Sequence, residues 1–222
     1  MDKERQPEKE KKMEIAMILL AAGYSRRFGS NKLLYEIEGQ PMYLRTLEQL
    51  QKAGQELAAD TAGGACTDAE RAYGKKDKKA DIICRVGVVT QYEEILRTAN
   101  EKGARALLNP HPEEGIASSL RIGLENYMDT DACLFSVADQ PWLSSGTVRE
   151  LIKLLISSKK GMACVSYQGR QGNPCIFSRK YYPRLLELSG DRGGRQILTR
   201  YPEDTAFLEI SDGREMEDMD HL

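Results

Sequence analysis

The chain has 222 residues, 32 Lys and Arg against 34 Asp and Glu for a formal net charge of −2, and is 41% hydrophobic and 30% charged. A chain of this length buries a sizeable core, so staples of disulfide or metal are not required, and the composition is that of a soluble globular protein, not a disordered or fibrous one. The near balance of charge excludes a broad footprint for nucleic acid, which needs clustered, uncompensated bases, yet permits a small anionic ligand held by a few local cations.

Five cysteines (Cys66, Cys84, Cys133, Cys164 and Cys175) form no C-x-x-C pair, and their odd number suits a reducing compartment, the cytoplasm. Those in apolar runs read as small core residues. No apolar run reaches the roughly 20 residues of a membrane span. Nine of the first 12 residues are charged and four of these are acidic, a mixture unlike the basic region of a signal peptide. A solvated tail over 1–12 and one domain over 13–222 are therefore expected.

In chain order the pattern predicts a strand at 14–20, a helix at 42–53, a strand at 82–89 and a helix at 92–101. A strand at 104–108, a helix at 116–127, a strand at 132–137 and a helix at 146–157 follow. Strands at 162–167 and 174–177, a helix at 179–188 and a strand at 206–210 complete the series. Short continuous apolar strands alternating with amphipathic helices specify β-α-β units and a mostly parallel sheet covered on both faces, a three-layer α/β/α domain of Rossmann-like type. Ser144 or Ser145 is suited to cap the helix at 146–157, with Glu150 as its capping-box partner. Residues 54–80, rich in Gly and Ala and ending in Lys75-Lys76-Asp77-Lys78-Lys79, read as a surface insertion with weak helical character around 67–73, because loops this long are uncommon in compact domains.

The segment carrying most chemistry follows the first strand: Leu20-Ala21-Ala22-Gly23-Tyr24-Ser25-Arg26-Arg27-Phe28-Gly29-Ser30-Asn31-Lys32. Small residues at a strand's carboxyl end let the backbone turn and approach a ligand, with N–H groups free for anions, and that end of an α/β sheet is where ligands bind. Arginine and lysine add charge suited to phosphate. The spacing is neither that of a Walker A loop nor of a G-x-G-x-x-G fingerprint. Asp139, after the apolar strand at 132–137 and followed by Gln140 and Pro141, is placed to ligate a hard cation, and Mg²⁺ takes only one or two protein carboxylates beside substrate phosphates. Ser118 and Ser119 open the helix at 116–127, as an N-cap, an anion site or both. Only two histidines, His111 and His221, are present and neither lies near a cysteine, which leaves no zinc spacing. No G-x-S-x-G elbow supports a serine hydrolase. Trp142 reads as partial core packing, with stacking on a planar ring as the alternative.

The loop L-A-A-G-x-S-x-R-x-G-x-x-K resembles the signature of nucleotidyltransferases with a glycosyltransferase-A-like fold, and more narrowly that of the molybdenum cofactor cytidylyltransferases. The likeness extends through Leu34…Gly39-Gln40-Pro41 and Asn109-Pro110…Gly115 to Ser118-Ser119-Leu120. It continues in Asp139-Gln140-Pro141 and in Gly172-Asn173-Pro174…Gly190-Asp191-Arg192-Gly193-Gly194-Arg195. It implies transfer of CMP from CTP to the molybdopterin form of molybdenum cofactor, with Mg²⁺ or Mn²⁺ and release of pyrophosphate. Arg27, Lys32 and Asp139 would be catalytic, with Asp139 and Asp220 on the metal. Nucleotide and acceptor contacts would come from Leu20, Ala21, Ala22, Gly23, Ser25, Arg26, Gly29, Ser118, Ser119, Gln140, Pro141, Asn173 and Asp191. A molybdenum hydroxylase or its accessory chaperone would be the partner. Asn173 stands where many relatives carry His, which favours hydrogen bonding to the acceptor over proton transfer. Ala22 replaces the second glycine of guanylyltransferase relatives and leans toward CTP. A sugar- or polyol-phosphate cytidylyltransferase, or a non-catalytic cofactor carrier or insertion chaperone, is the alternative.

Overall fold

A computed structural model describes residues 12–23, 31–62 and 81–219. Nine strands are present among them: β1 Lys12–Ala21, β2 Glu36–Ile37, β3 Gln40–Pro41, β4 Asp81–Thr90, β5 Arg105–Leu108, β6 Ala132–Val137, β7 Met162–Tyr167, β8 Arg170–Ser178 and β9 Thr205–Glu209. The α-helices among them are α1 Met42–Ala62, α2 Glu93–Glu101, α3 Ile116–Glu125, α4 Ser145–Ser158, α5 Tyr182–Leu186 and α6 Arg195–Arg200. Seven strands form one sheet in the order β5-β4-β1-β6-β8-β7-β9, and β2 and β3 form a separate hairpin. β8 alone runs against its neighbours, so the sheet is mostly parallel as expected.

The central strands explain their own composition. β1 lies between β4 and β6 and is covered above and below, so both of its faces must be apolar. Ile15, Met17, Leu19 and Ala21 join one cluster with Leu47 and Leu50 of α1, Ile95 of α2 and Val148 and Leu151 of α4. Ala16, Ile18 and Leu20 join the other with Leu120 and Leu124 of α3, Tyr182 of α5 and Ile197 of α6. The result is a three-layer α/β/α domain. Gly123 lets α3 approach β1 closely, since a Cβ there would lie 2.7 Å from Ile18 Cγ2.

Several boundaries differ from the sequence reading. Helix α1 continues through Gly54 to Ala62, because Leu57 is buried and a Cβ at residue 54 would press on Cys84 and Met17 at 3.0 Å. Regular structure thus extends past the expected start of the insertion, and 63–80, including Cys66 and the lysine run, lie outside the described residues. Strand β8 begins at Arg170, not 174, because its polar first half is held by pairing with β7; Asn173 consequently sits in a strand instead of a loop. The helix expected at 179–188 is a 3-10 turn, Arg179–Tyr181, followed by α5. Ser144 does cap α4, its Oγ accepting from Thr147 N at 3.1 Å, but Glu150 is six residues on and pairs with Lys153. The reciprocal carboxylate comes instead from the chain's other end: Ser144 N donates to Glu215 at 3.0 Å.

Candidate active site

The chain from β1 crosses through α1 to β4 on one side of the sheet, and β6 is added on the other side of β1. Strand order therefore reverses at β1, and the carboxyl ends of β1 and β6 flank the crevice where α/β sheets bind ligands. Residues 20–23 leave β1 there, and Asp139 leaves β6, the two joined by a bond from Ala138 N to Leu20 O at 3.0 Å. Leu20, Ala21 and Ala22 are buried and Gly23 is exposed.

Lys32 starts a 3-10 turn, Lys32–Leu34, capped by Asn31, whose Oδ1 accepts from Leu33 N at 3.1 Å. From this anchored position Lys32 Nζ reaches Asp139 Oδ2 at 2.8 Å, which brings together two residues 107 apart in sequence. Among the described residues the Asp139 carboxylate accepts no other hydrogen bond, so Oδ1 is open. Ser25, Arg26, Arg27 and Gly29 lie outside the described residues.

Gln140 is buried beneath Asp139. Its Nε2 donates to Asp218 at 2.8 Å and to Met216 O at 3.2 Å, its carbonyl accepts from Thr46 Oγ1 at 3.2 Å, and its Oε1 has no partner among the described residues. Pro141 is buried next to it. Trp142 packs against the core with the Arg45 guanidinium 5.2 Å from its ring centroid, which is the packing role expected of it. The acidic C-terminal stretch returns to this point: Met219 N donates to Asp139 O at 3.0 Å. Asp220, the next residue, lies outside the described residues. Asp218 is spent on Gln140.

Ser118 and Ser119 are not the cap of α3. Gly115 holds that position with φ +84°, and a Cβ there would fall 2.5 Å from the Gly190 carbonyl carbon. Both serine hydroxyls are buried and accept from Asn109 Nδ2 at 2.9 Å, while Ser118 Oγ donates to Gly115 O at 2.9 Å. The Gly190-Asp191 turn lies against this helix start, with Ala117 N donating to Gly190 O at 3.1 Å.

Two cavities adjoin these elements. A polar one of about 180 Å³ is lined by Gln140, Arg170, Asn173, Arg195, Met216 and Asp218, among others. A wider groove of about 780 Å³ is lined by Asp191, Arg192, Arg195 and Arg200 with parts of α5. Asn173 and Asp191 thus face different spaces, with Arg195 between them. No group of three His, Cys, Asp or Glu among the described residues gathers as a metal cage. A single open carboxylate does suit Mg²⁺, which keeps most of its shell as water and phosphate oxygen. Burial pushes the thiols of Cys84 and Cys164 up to about 12 and about 11, and Cys175 higher still, so they remain protonated core residues. No helix among the described residues is long and apolar enough to cross a membrane.

One feature was not legible in the sequence. The carbonyls of Ala21, Ala22 and Gly23 accept in turn from Thr90 Oγ1, Gln91 Nε2 and Tyr92 OH, each at 2.8 Å. The signal for it is the register of β1 on β4, which sets Ala21 opposite Thr90.

Known proteins resemble this chain in sequence and in fold. A probable molybdenum cofactor guanylyltransferase of Pyrococcus horikoshii is 50% identical over 40 residues, 18% of this chain and 21% of that protein. The purine catabolism protein PucB of Bacillus subtilis is 31% identical over 111 residues, 49% of this chain and 53% of PucB. The matches thus span about a fifth and about half of these curated relatives. The crystal structure of Rv0371c from Mycobacterium tuberculosis covers 90% of each chain with a TM-score of 0.67 and 19% identity, and its complex with manganese 89% of each with a TM-score of 0.58 and 17% identity. Those likenesses show a shared fold, the mostly parallel sheet covered on both faces. The MobA-like NTP transferase domain matches residues 17–205, from β1 to the start of β9, and the chain belongs to that family.

Proposed function

We propose that this chain transfers a nucleoside monophosphate, CMP from CTP, to a phosphate-terminated acceptor, the molybdopterin form of molybdenum cofactor, and releases pyrophosphate. The observation that carries the reading is the 2.8 Å pair of Lys32 and Asp139 at the mouth of the β1–β6 crevice, beside the turn at 20–23. An acceptor phosphate oxygen attacks the α-phosphorus as the bond from that phosphorus to the bridging oxygen of pyrophosphate breaks. Such transfer is mostly positioning and charge neutralisation.

Each residue has a defined part in this reading. Asp139, with Asp220 as the second carboxylate, would hold the divalent cation, Mg²⁺ or Mn²⁺, which when bound would offset phosphate charge. Lys32, with Arg27, Ser25, Arg26 and Gly29, holds the triphosphate and balances charge as pyrophosphate leaves. The backbone of Ala21, Ala22 and Gly23 faces the base. Gln140, fixed from two sides, keeps Asp139 and Pro141 in place. Asn173 and Asp191 serve the acceptor.

A second reading keeps the chemistry and changes the base: GTP, favoured by the local identity to a guanylyltransferase. Thermal shift with ATP, CTP, GTP and UTP plus Mg²⁺ separates the two. Stabilisation by CTP alone supports the first reading, and stabilisation by GTP with none by CTP replaces it with the second. Pyrophosphate release with loaded acceptor then tests catalysis, and a protein that binds acceptor without releasing pyrophosphate would be a carrier.

A further inference from the structure

Three consecutive side chains, those of Thr90 at the end of β4 and of Gln91 and Tyr92 just after it, grip three consecutive carbonyls where the chain leaves β1. In a regular strand successive carbonyls alternate between neighbours. Here Leu20 O turns toward β6, accepting from Ala138 N, and the next three all turn to the β4 side. A trans peptide directs its N–H opposite to its C=O. Holding the carbonyls of Ala21 and Ala22 this way turns the N–H groups of Ala22 and Gly23 away from β4, toward the side of the sheet where Asp139 stands.

The grip is braced from behind. Thr90 is fully buried, its Oγ1 also accepts from Tyr92 N at 3.1 Å, and its carbonyl accepts from Asn109 N at 2.8 Å. Asn109 in turn holds both Ser118 and Ser119. Tyr92 occupies the N-cap position of α2 without capping it, its hydroxyl given to Gly23 O instead. One strand end therefore fixes both the turn at 20–23 and the first turn of α3.

We propose that Thr90, Gln91 and Tyr92 are positioning residues that preset the backbone at Ala22 and Gly23 for reading the nucleotide base, and so set the choice among triphosphates. The proposal rests on the nucleotidyltransferase reading above. None of the three needs to touch the nucleotide; they act through the peptide planes they hold.

The test compares the parent with Thr90→Val, Thr90→Ser, Tyr92→Phe and a Gln91→Met/Tyr92→Phe double variant. Titration calorimetry with ATP, CTP, GTP and UTP in Mg²⁺ measures base choice, and inorganic tripolyphosphate serves as a probe without a base. Loss of one neutral hydrogen bond is about a fivefold effect. Tyr92→Phe should therefore weaken the preferred triphosphate about fivefold and the double variant more than tenfold, with the preference ratio over the other bases shrinking in step. Thr90→Val should behave like the double variant and Thr90→Ser like the parent, while tripolyphosphate affinity stays within about twofold throughout. Folded Tyr92→Phe and double variants with unchanged base preference overturn the proposal alone. Equal losses for nucleotide and tripolyphosphate also overturn it, since they signal a general collapse of the site. A parent that binds none of the four triphosphates removes the nucleotidyltransferase reading itself.

Discussion

Among the described residues, two short lysine–aspartate pairs are of similar length and opposite design. Lys180 Nζ stands 2.6 Å from Asp204 Oδ2, and Lys32 Nζ stands 2.8 Å from Asp139 Oδ2. The two carboxylate side chains are equally accessible, 22% and 24%, so burial does not distinguish them. Coordination does. Asp204 also accepts from Tyr181 OH at 2.6 Å and from Gly161 N at 2.9 Å, which ties the 3-10 turn at Arg179–Tyr181 and the start of β7 to the turn before β9. Asp139 has Lys32 and an open oxygen. A carboxylate with both oxygens engaged is a fastener; one left half-engaged at a sheet's carboxyl edge is available to a ligand.

The largest expected effect breaks the second pair. Under the proposed function, Asp139→Asn removes a charge needed mainly in the transition state and should lower kcat by roughly 10²–10³, on the order of 3–4 kcal/mol. Its melting temperature should stay within about 2 °C of the parent, because no network leans on this carboxylate. Steady-state pyrophosphate release and a melting scan check both halves; near-parental turnover would remove Asp139 from the chemistry.

Asp204→Asn should do the reverse. Burial raises the Asp204 carboxyl, but the bonds from Lys180, Tyr181 and Gly161 outweigh it and hold the group at about 2. Lys180 is largely exposed, which discounts the ion pair, so a loss of about 1–2 kcal/mol is expected, a fall of roughly 2–8 °C in Tm with turnover per folded molecule unchanged. The pH dependence follows from the direction of the shift. A carboxyl whose folded pKa is depressed contributes stability that is complete above its unfolded value, near 4, and is lost as pH falls through about 2. Urea midpoints should therefore drop more steeply between pH 4 and pH 2 in the parent than in Asp204→Asn, and parallel curves would show that the fastener carries no linked proton.

The contrast also marks where sequence reasoning reached. The strands β1 and β6 were legible because central parallel strands must be apolar on both faces, and Asp139 was legible because it ends such a run. The lysine's partner was not, since 107 residues separate the two and only the fold closes that distance. Helix α6 was missed because its six residues contain only Ile197 and Leu198 as apolar anchors, after two glycines. The first half of β8, Arg170-Gln171-Gly172-Asn173, carries no strand signal because main-chain pairing, not side-chain burial, holds it. The grip of Thr90, Gln91 and Tyr92 depends on strand register, which local composition does not encode.

Smaller effects sharpen the comparison at the helix that follows Asp139. Ser144→Ala removes the side-chain cap of α4 and should cost about 1 kcal/mol, roughly 2–4 °C in Tm. Glu215→Gln isolates a finer contribution. The amide keeps an oxygen for Ser144 N, so only the negative charge at the positive end of α4 is lost. That charge is expected to contribute about 0.3–1 kcal/mol at low ionic strength, and the partly exposed setting places it at the lower end. Raising NaCl to about 1 M shortens the screening length to about 3 Å, so parent and Glu215→Gln should then melt together while Ser144→Ala remains destabilised. Because Glu215 belongs to the same stretch as Met216, Asp218 and Met219, which bind Gln140 and Asp139, the contact also anchors the returning tail beside the open carboxylate. A gap between parent and Glu215→Gln that persists undiminished in high salt would show that the side chain acts by packing the tail and not through its charge.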